Sequence, residues 1–238
     1  MNRQVSKGIQ VYGNYVWSKT MSNMNGPLDT NNRKIEKAVE SYDIPHMAKA
    51  YVTYELPVGK GRALFGGAPR AVAAVVKGWS FSLIVNYFSG TPLGFGGSSP
   101  ISGAWNGGGN RANVAAGPLM LDSFDKGKFE LSTVNSPNNT ILVKSAITDP
   151  APLTLGTSAV RYSQARGFAT RNEDIGIQKV QAFGENGKYR FRLRAEFLNL
   201  LNRHTLGGIT TSPTSTTFGQ VTSVSGNRTG QVTLRLDF

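Results

Sequence analysis

Residues 188–197 constrain the fold of this 238-residue chain more than any other segment. Tyr189, Phe191, Leu193, Ala195 and Phe197 alternate with Lys188, Arg190, Arg192, Arg194 and Glu196. A helix would scatter both sets around its circumference, whereas a strand sends them to opposite faces. The C-terminus repeats the pattern: Val232, Leu234, Leu236 and Phe238 alternate with Gln231, Thr233, Arg235 and Asp237. The same period runs through Ile9, Val11, Tyr15 and Trp17, though Tyr12 and Val16 blur the second face. It recurs in Ala48 to Leu56 and in Trp79 to Tyr87, and more weakly over 173–183, where Ile175 and Ile177 share a side. The pattern predicts an all-β, antiparallel fold of about six long strands, with Phe218 to Val224 adding a short extension.

The connections are the second constraint. About 27 residues (19–45) separate the first two strands, and about 84 (89–172) separate the third and fourth. Roughly 30 separate the last two. All three long links would leave the same end of an antiparallel sheet. The other two are shorter: about 20 residues including Val58-Gly59-Lys60-Gly61, and the turn Gly184-Glu185-Asn186-Gly187. Compact soluble domains rarely carry structureless loops beyond about 15 residues. Transmembrane barrels do show this asymmetry, on strands of about 9–11 residues whose outward faces are apolar. Tyr15, Trp17, Tyr54, Trp79, Tyr87, Tyr189 and Phe238 lie near strand ends, as interfacial aromatic girdles do. A soluble β-sandwich with a core of aromatics fits the alternation equally well.

Composition narrows the function classes. No cysteine means no disulfide scaffold and no thiolate chemistry, and two histidines leave little room for a metal or a triad. His46 and His204 read as hydrogen-bonding residues of loops. Glu36, Glu40, Asp43, Asp122, Asp125 and Glu130 have no spacing that fixes a catalytic pair, so no enzyme is expected. Gly59-Lys60-Gly61 lacks the rest of a phosphate loop. The net charge of +12 is spread along the chain, without a run of like charges or a recognised motif, so no nucleic-acid partner is expected. No apolar stretch approaches the 18 residues of a membrane-spanning helix, and no signal-peptide core follows Met1.

A series of short segments occurs in a distinctive order. It runs Tyr15-Val16-Trp17-Ser18-Lys19, Asp43-Ile44-Pro45-His46, Tyr54-Glu55-Leu56-Pro57-Val58-Gly59-Lys60-Gly61, Gly78-Trp79 and Ser89-Gly90-Thr91-Pro92. Then come Arg166-Gly167, Asn172-Glu173-Asp174, Arg194 to Asn202, Phe218-Gly219-Gln220-Val221 and the terminal Phe238. The series resembles the C-terminal barrel of TonB-dependent outer-membrane receptors, of the Oar-like type with a carboxypeptidase-regulatory-like domain. The resemblance spans nearly all of 1–238. It implies one partial barrel without plug, TonB box or signal peptide, located in the outer membrane and lacking a cofactor. Its implied partners are outer-membrane lipid, the barrel-assembly machinery, an unidentified solute, and TonB through a plug. The implied function is energised uptake. A structural or adhesive barrel stands as the alternative, with a soluble binding module behind it.

Within that resemblance Arg190, Arg192, Arg194 and Glu196 are expected to face the lumen. They form either an electropositive track or a salt-bridged wall with Asp174, Glu173, Asp237 or Glu196 as partners. Trp105, in the glycine-rich segment 94–110, is the loop residue expected to stack on a ligand or to anchor the loop. Asn138-Asn139-Thr140 reads as surface loop. Val232, Leu234, Leu236 and Phe238 resemble the C-terminal signal read by the assembly machinery. Deleting Phe238 is therefore expected to lower the heat-modifiable, folded fraction in the outer membrane; an unchanged fraction would contradict the signal.

Overall fold

The computed structural model describes residues 2–5, 8–23, 27–58, 64–67, 69–99, 109–132 and 136–238. One antiparallel sheet organises them. Its strands are β1 (Asn2–Val5), β2 (Ile9–Trp17), β3 (His46–Glu55), β4 (Trp79–Phe88), β5 (Thr170–Phe183), β6 (Tyr189–Leu198) and β7 (Thr229–Asp237). Each pairs with its neighbour in the chain, so the sheet is a meander without crossovers. The six segments read as strands from the alternation are β2 to β7. The sheet has one strand more than the alternation predicts, because β1 offers only four residues to a period-two reading. The sheet is open, with β1 and β7 at its two edges.

Register turns the alternation into two surfaces. Val11 lies opposite Val52, Val52 opposite Leu83, Leu83 opposite Ile175 and Ile175 opposite Phe197. Residues two positions along the strands share that face, which over β2 to β7 is apolar but for His46 and, on β5, Arg171, Glu173, Lys179 and Gln181. That face ends in aromatics: Tyr15, Trp17 and Tyr87 toward one end, and Tyr54, Trp79, Phe183 and Tyr189 toward the other. From Trp79 to Tyr87 the strand rises by roughly 27 Å at 3.3–3.4 Å per residue, or about 20 Å along the normal at a 40° tilt. That is close to the roughly 25 Å apolar band of a membrane barrel.

The opposite face carries Gln10, Asn14, Lys49, Thr53, Ser82, Arg190, Arg192, Arg194, Gln231, Thr233 and Arg235. It is not uniformly polar. Tyr12, Tyr51 and Ile84 follow one another across β2, β3 and β4, at 49%, 41% and 41% exposure. The two surfaces therefore differ most over β6 and β7.

The sheet buries neither face. No hydrophobic residue of its strands is buried among the described residues; every buried hydrophobic side chain comes from a link. Trp17 is 77% exposed and Val232 71%. A soluble sandwich of comparable sheet area would cover one face with a second layer at about 10 Å. None covers this one among the described residues.

At the short-link end, Gly184 and Gly187 take positive φ to turn β5 into β6. The other short link holds α1 (Arg70–Val76). Trp79 Nε1 donates to the Val75 carbonyl at 3.0 Å. Lys179 Nζ donates to the Ala74, Val75 and Lys77 carbonyls at 2.8, 2.5 and 3.2 Å. The lysine thus satisfies carbonyls that a helix C-terminus leaves unpaired. No helix is long and apolar enough to cross a membrane among the described residues.

The two faces make opposite predictions for one substitution. Val52→Arg places a guanidinium mid-way along the apolar face and should destabilise the bilayer-inserted protein by about 2–4 kcal/mol. Thr53→Arg, one residue on, should change stability by no more than about 0.5 kcal/mol. Urea titration of folded protein in bilayers measures both; equal effects would contradict the assignment of faces.

Candidate functional site

The three long links fold into one cap at one end of the sheet. Phe95, Ala112, Leu119, Ile141, Leu142, Ala146, Ile147 and Ala165 of the second link form a core with Leu206, Phe218 and Val221 of the third. Main-chain bonds join the two links: Ile141 N donates to Gly219 O at 2.8 Å, and Val221 N to Asn139 O at 2.9 Å. Ser223–Ser225 pairs with Thr205–Gly207, so the short extension expected over Phe218 to Val224 is divided between this hairpin and the cap core.

The first link joins through charge. Three of its four carboxylates meet arginines of the second link: Glu36 with Arg111, Glu40 with Arg161 at 3.7 Å, and Asp43 with Arg166 at 2.6 Å. Glu36 and Asp43 are fully buried. Glu36 also accepts from Leu28 N at 2.9 Å, and Arg111 donates to the Ile35 and Ser158 carbonyls. Burial alone would raise the Asp43 pKa. The Thr20 N–H at 2.6 Å and the Arg166 guanidinium outweigh it and hold the carboxyl below its ordinary range.

Several sequence segments converge here. Arg166 Nη1 donates to the Asp43 and Gly90 carbonyls at 2.9 and 3.1 Å, linking Asp43-Ile44-Pro45, Ser89-Gly90-Thr91-Pro92 and Arg166-Gly167. A Cβ on Gly90 would stand 1.8 Å from the Gly167 carbonyl oxygen, so only glycine fits this crossing. Asp174 Oδ1 accepts from Asn199 N and Asn172 Nδ2, both at 2.8 Å. Asn199 has φ of 52°, a left-handed conformation that asparagine tolerates, and its amide donates to the Arg203 and Gly226 carbonyls.

The structure places the residues singled out from the sequence as follows. Arg190, Arg192, Arg194 and Glu196 stand together on the polar face. Arg192 pairs with Asp237 at 2.7 Å and Arg194 with Glu196 at 2.5 Å, while Gln231 donates to Glu196 at 2.6 Å. Glu173 is not a partner on that face. It lies on the apolar face, accepts from Tyr87 Oη at 2.5 Å, and both its oxygens share the Arg203 Nε–H at 2.9 Å. Asp174 shares the track's face but serves Asn172 and Asn199. His46 Nδ1 meets the Tyr15 hydroxyl at 2.7 Å at the link–strand junction. Val232, Leu234 and Leu236 share the apolar face of edge strand β7, with Phe238 just beyond it.

Trp105 and Gly59-Lys60-Gly61 lie outside the described residues. Of the segment 94–110, Phe95 and Asn110 are buried in the cap. Asn139 corrects the surface-loop reading of 138–140. It is buried, accepts from Glu130 N at 2.9 Å and donates to Glu130 O at 2.7 Å. Sequence reasoning missed it because one asparagine in a polar segment gives no periodic signal.

Arg166→Ala leaves the buried Asp43 carboxylate without its cation and should destabilise the cap by about 3–5 kcal/mol. Proteolysis of the three long links measures this, and unchanged resistance would contradict the clasp. The pH dependence has a defined sign. With its folded-state pKa lowered, Asp43 contributes stability above its ordinary value of 3.8, and that contribution is lost as pH falls through the folded value. Asp43→Asn should remove this acid-side loss.

No curated protein matches the chain, and no solved structure does. A family model described as an outer membrane beta barrel domain matches residues 1–231. A sheet apolar over most of one face, with no layer over either face among the described residues, has the character of a transmembrane barrel wall. The chain belongs to the outer membrane beta barrel domain family, and its location is the outer membrane.

Proposed function

We propose that this chain is part of the wall of a TonB-dependent receptor of the Oar-like type, supporting energised uptake of a solute across the outer membrane. The observation that carries the reading is the division of one sheet into an apolar face and a face that mixes charge with exposed apolar rings. The apolar face meets lipid. The long-link cap faces outward, where its folded surface meets the solute. The open edges require further strands, because unpaired backbone groups in hydrocarbon cost several kcal/mol each. A longer polypeptide supplies them, and the assembly machinery reads β7 as it closes the wall.

The inner face favours a plugged lumen over a water-filled one. Tyr12, Tyr51 and Ile84 form an apolar band there, beside the charged surface of β6 and β7. Water gains nothing from apolar side chains, whereas a protein domain inside the barrel covers them. That domain is the plug through which TonB acts. The chain performs no covalent chemistry in this account.

These 238 residues hold no cysteine, so one introduced here reports its own position once any cysteine elsewhere in the receptor is replaced. Tyr51→Cys in the outer-membrane receptor should react slowly with a hydrophilic maleimide, then quickly once mild urea displaces the lumen domain. Immediate labelling would indicate an open lumen and favour a structural or adhesive barrel. Uptake is measured by accumulation of labelled oligosaccharides, peptides and ferric chelates in cells with and without the receptor. Receptor-dependent accumulation that a protonophore abolishes is the expected result; accumulation unchanged by protonophore would contradict coupling.

A further inference from the structure

The longest apolar run of the chain, Ala71 to Val76, is not part of the wall. It makes up all but the first residue of α1, in the link between β3 and β4 at the short-link end. A helix that is apolar on every side belongs in a core or against a membrane. This one builds no core. Among its described side chains only Ala73 is buried, and Val72 and Val75 are 43% and 67% exposed.

The helix is fastened to the apolar side of the sheet. Trp79 and Lys179 lie opposite each other, on the face that carries Leu83 and Ile175. Trp79 Nε1 donates to the Val75 carbonyl, and Lys179 Nζ donates to the Ala74, Val75 and Lys77 carbonyls. The same ammonium stands 5.3 Å from the centre of the Trp79 ring. Gly78 alone separates Lys77 from Trp79, and Val180 N of β5 donates to its carbonyl at 2.9 Å. The C-terminal end of α1 therefore sits against the aromatic girdle of the apolar face.

The polar groups of that end are arranged for a medium without water. Lys77 N donates to the Ala73 carbonyl at 3.1 Å, so the carbonyls of Ala73, Ala74, Val75 and Lys77 all have donors from the protein. Water would serve such carbonyls at an exposed helix end, whereas hydrocarbon would not. A lysine on the lipid side is costly at the midplane and nearly free close to the interface, and Lys179 lies level with Trp79. The helix itself carries no acidic residue to repel anionic lipid.

We propose that α1 is an interfacial helix seated in the inner leaflet of the outer membrane, with Val72 and Val75 among the upper acyl chains. Its partner is a lipid surface continuous with the one that covers the apolar face. Seated there, it fixes the height of the short-link rim in the bilayer. The inference rests on the reading that the apolar face meets lipid and the cap faces outward.

The test places one environment-sensitive fluorophore on the receptor in phospholipid nanodiscs, which leave both membrane surfaces open to buffer. The variants are Val75→Cys in α1, Glu185→Cys in the other short link and Val52→Cys mid-way along the apolar face. Heat-modifiability checks that each is folded. Quenching by phospholipid carrying a nitroxide near the headgroup, by phospholipid carrying it near the chain end, and by iodide is compared. At 75 the shallow nitroxide should quench at least about threefold more than the deep one, and iodide at least about threefold less than at 185. Iodide quenching at 75 equal to that at 185 would overturn the proposal. Protection from iodide and from both nitroxides would show α1 covered by protein and would overturn it too. If the label at 52 escapes both nitroxides, the lipid-facing assignment itself fails; nitroxide quenching at 52 but not at 75 sinks only the seating of α1.

Discussion

Among the described residues no layer covers the apolar face of the sheet, and the rest of the structure follows from that. Hydrophobic burial, the main favourable term in folding, is not available to these strands from within the described residues. Their apolar side chains are stabilised by lipid, and lipid imposes a second demand. Every backbone donor and acceptor at that depth needs a partner, because no water is there to serve. The sheet answers this internally through paired strands with continuous register. Its two open edges are where that answer is incomplete, and they are the physical reason for placing the chain in a larger wall.

The cap obeys the opposite rule. Its links bury side chains around Phe95, Ile141, Leu142, Ile147 and Phe218 in the manner of a small soluble domain. Ion pairs between links fix their order. A buried pair is not a strong source of net stability, but removing one partner is costly. The Glu36–Arg111 and Asp43–Arg166 pairs therefore act mainly as registration. They admit one mutual arrangement of the first and second links and exclude others that the apolar contacts alone would tolerate. The result is a shaped surface at one end of a membrane wall.

The strands were legible in the sequence because period-two alternation depends only on neighbours. Tyr189 to Phe197 announces its two faces with no knowledge of any partner. The cap was not legible, because its contacts join distant positions. Arg111 and Glu36 are 75 residues apart, and Arg166 and Asp43 are 123 apart. Nothing in either neighbourhood marks which carboxylate meets which arginine. Glu173 is a different case. Period two already sets Glu173 on the side of Ile175 and Ile177, so placing it among the lumen partners ran against the alternation itself. The resemblance supplied the order of the segments Asp43-Ile44-Pro45, Ser89-Gly90-Thr91-Pro92 and Arg166-Gly167. Only the structure showed that they meet, with Arg166 as the hub.

The central claim is that one face of this sheet meets lipid and the other does not. Single cysteines at 52, 83 and 175, and at 53, 82 and 178, can carry spin labels in an otherwise cysteine-free chain. Relaxation by oxygen, which concentrates in lipid, is compared with relaxation by a water-soluble nickel chelate, with the protein in outer-membrane bilayers. The account predicts that oxygen dominates at 52, 83 and 175 and falls at 53, 82 and 178. Equal accessibility at both sets, or the reverse order, would contradict it.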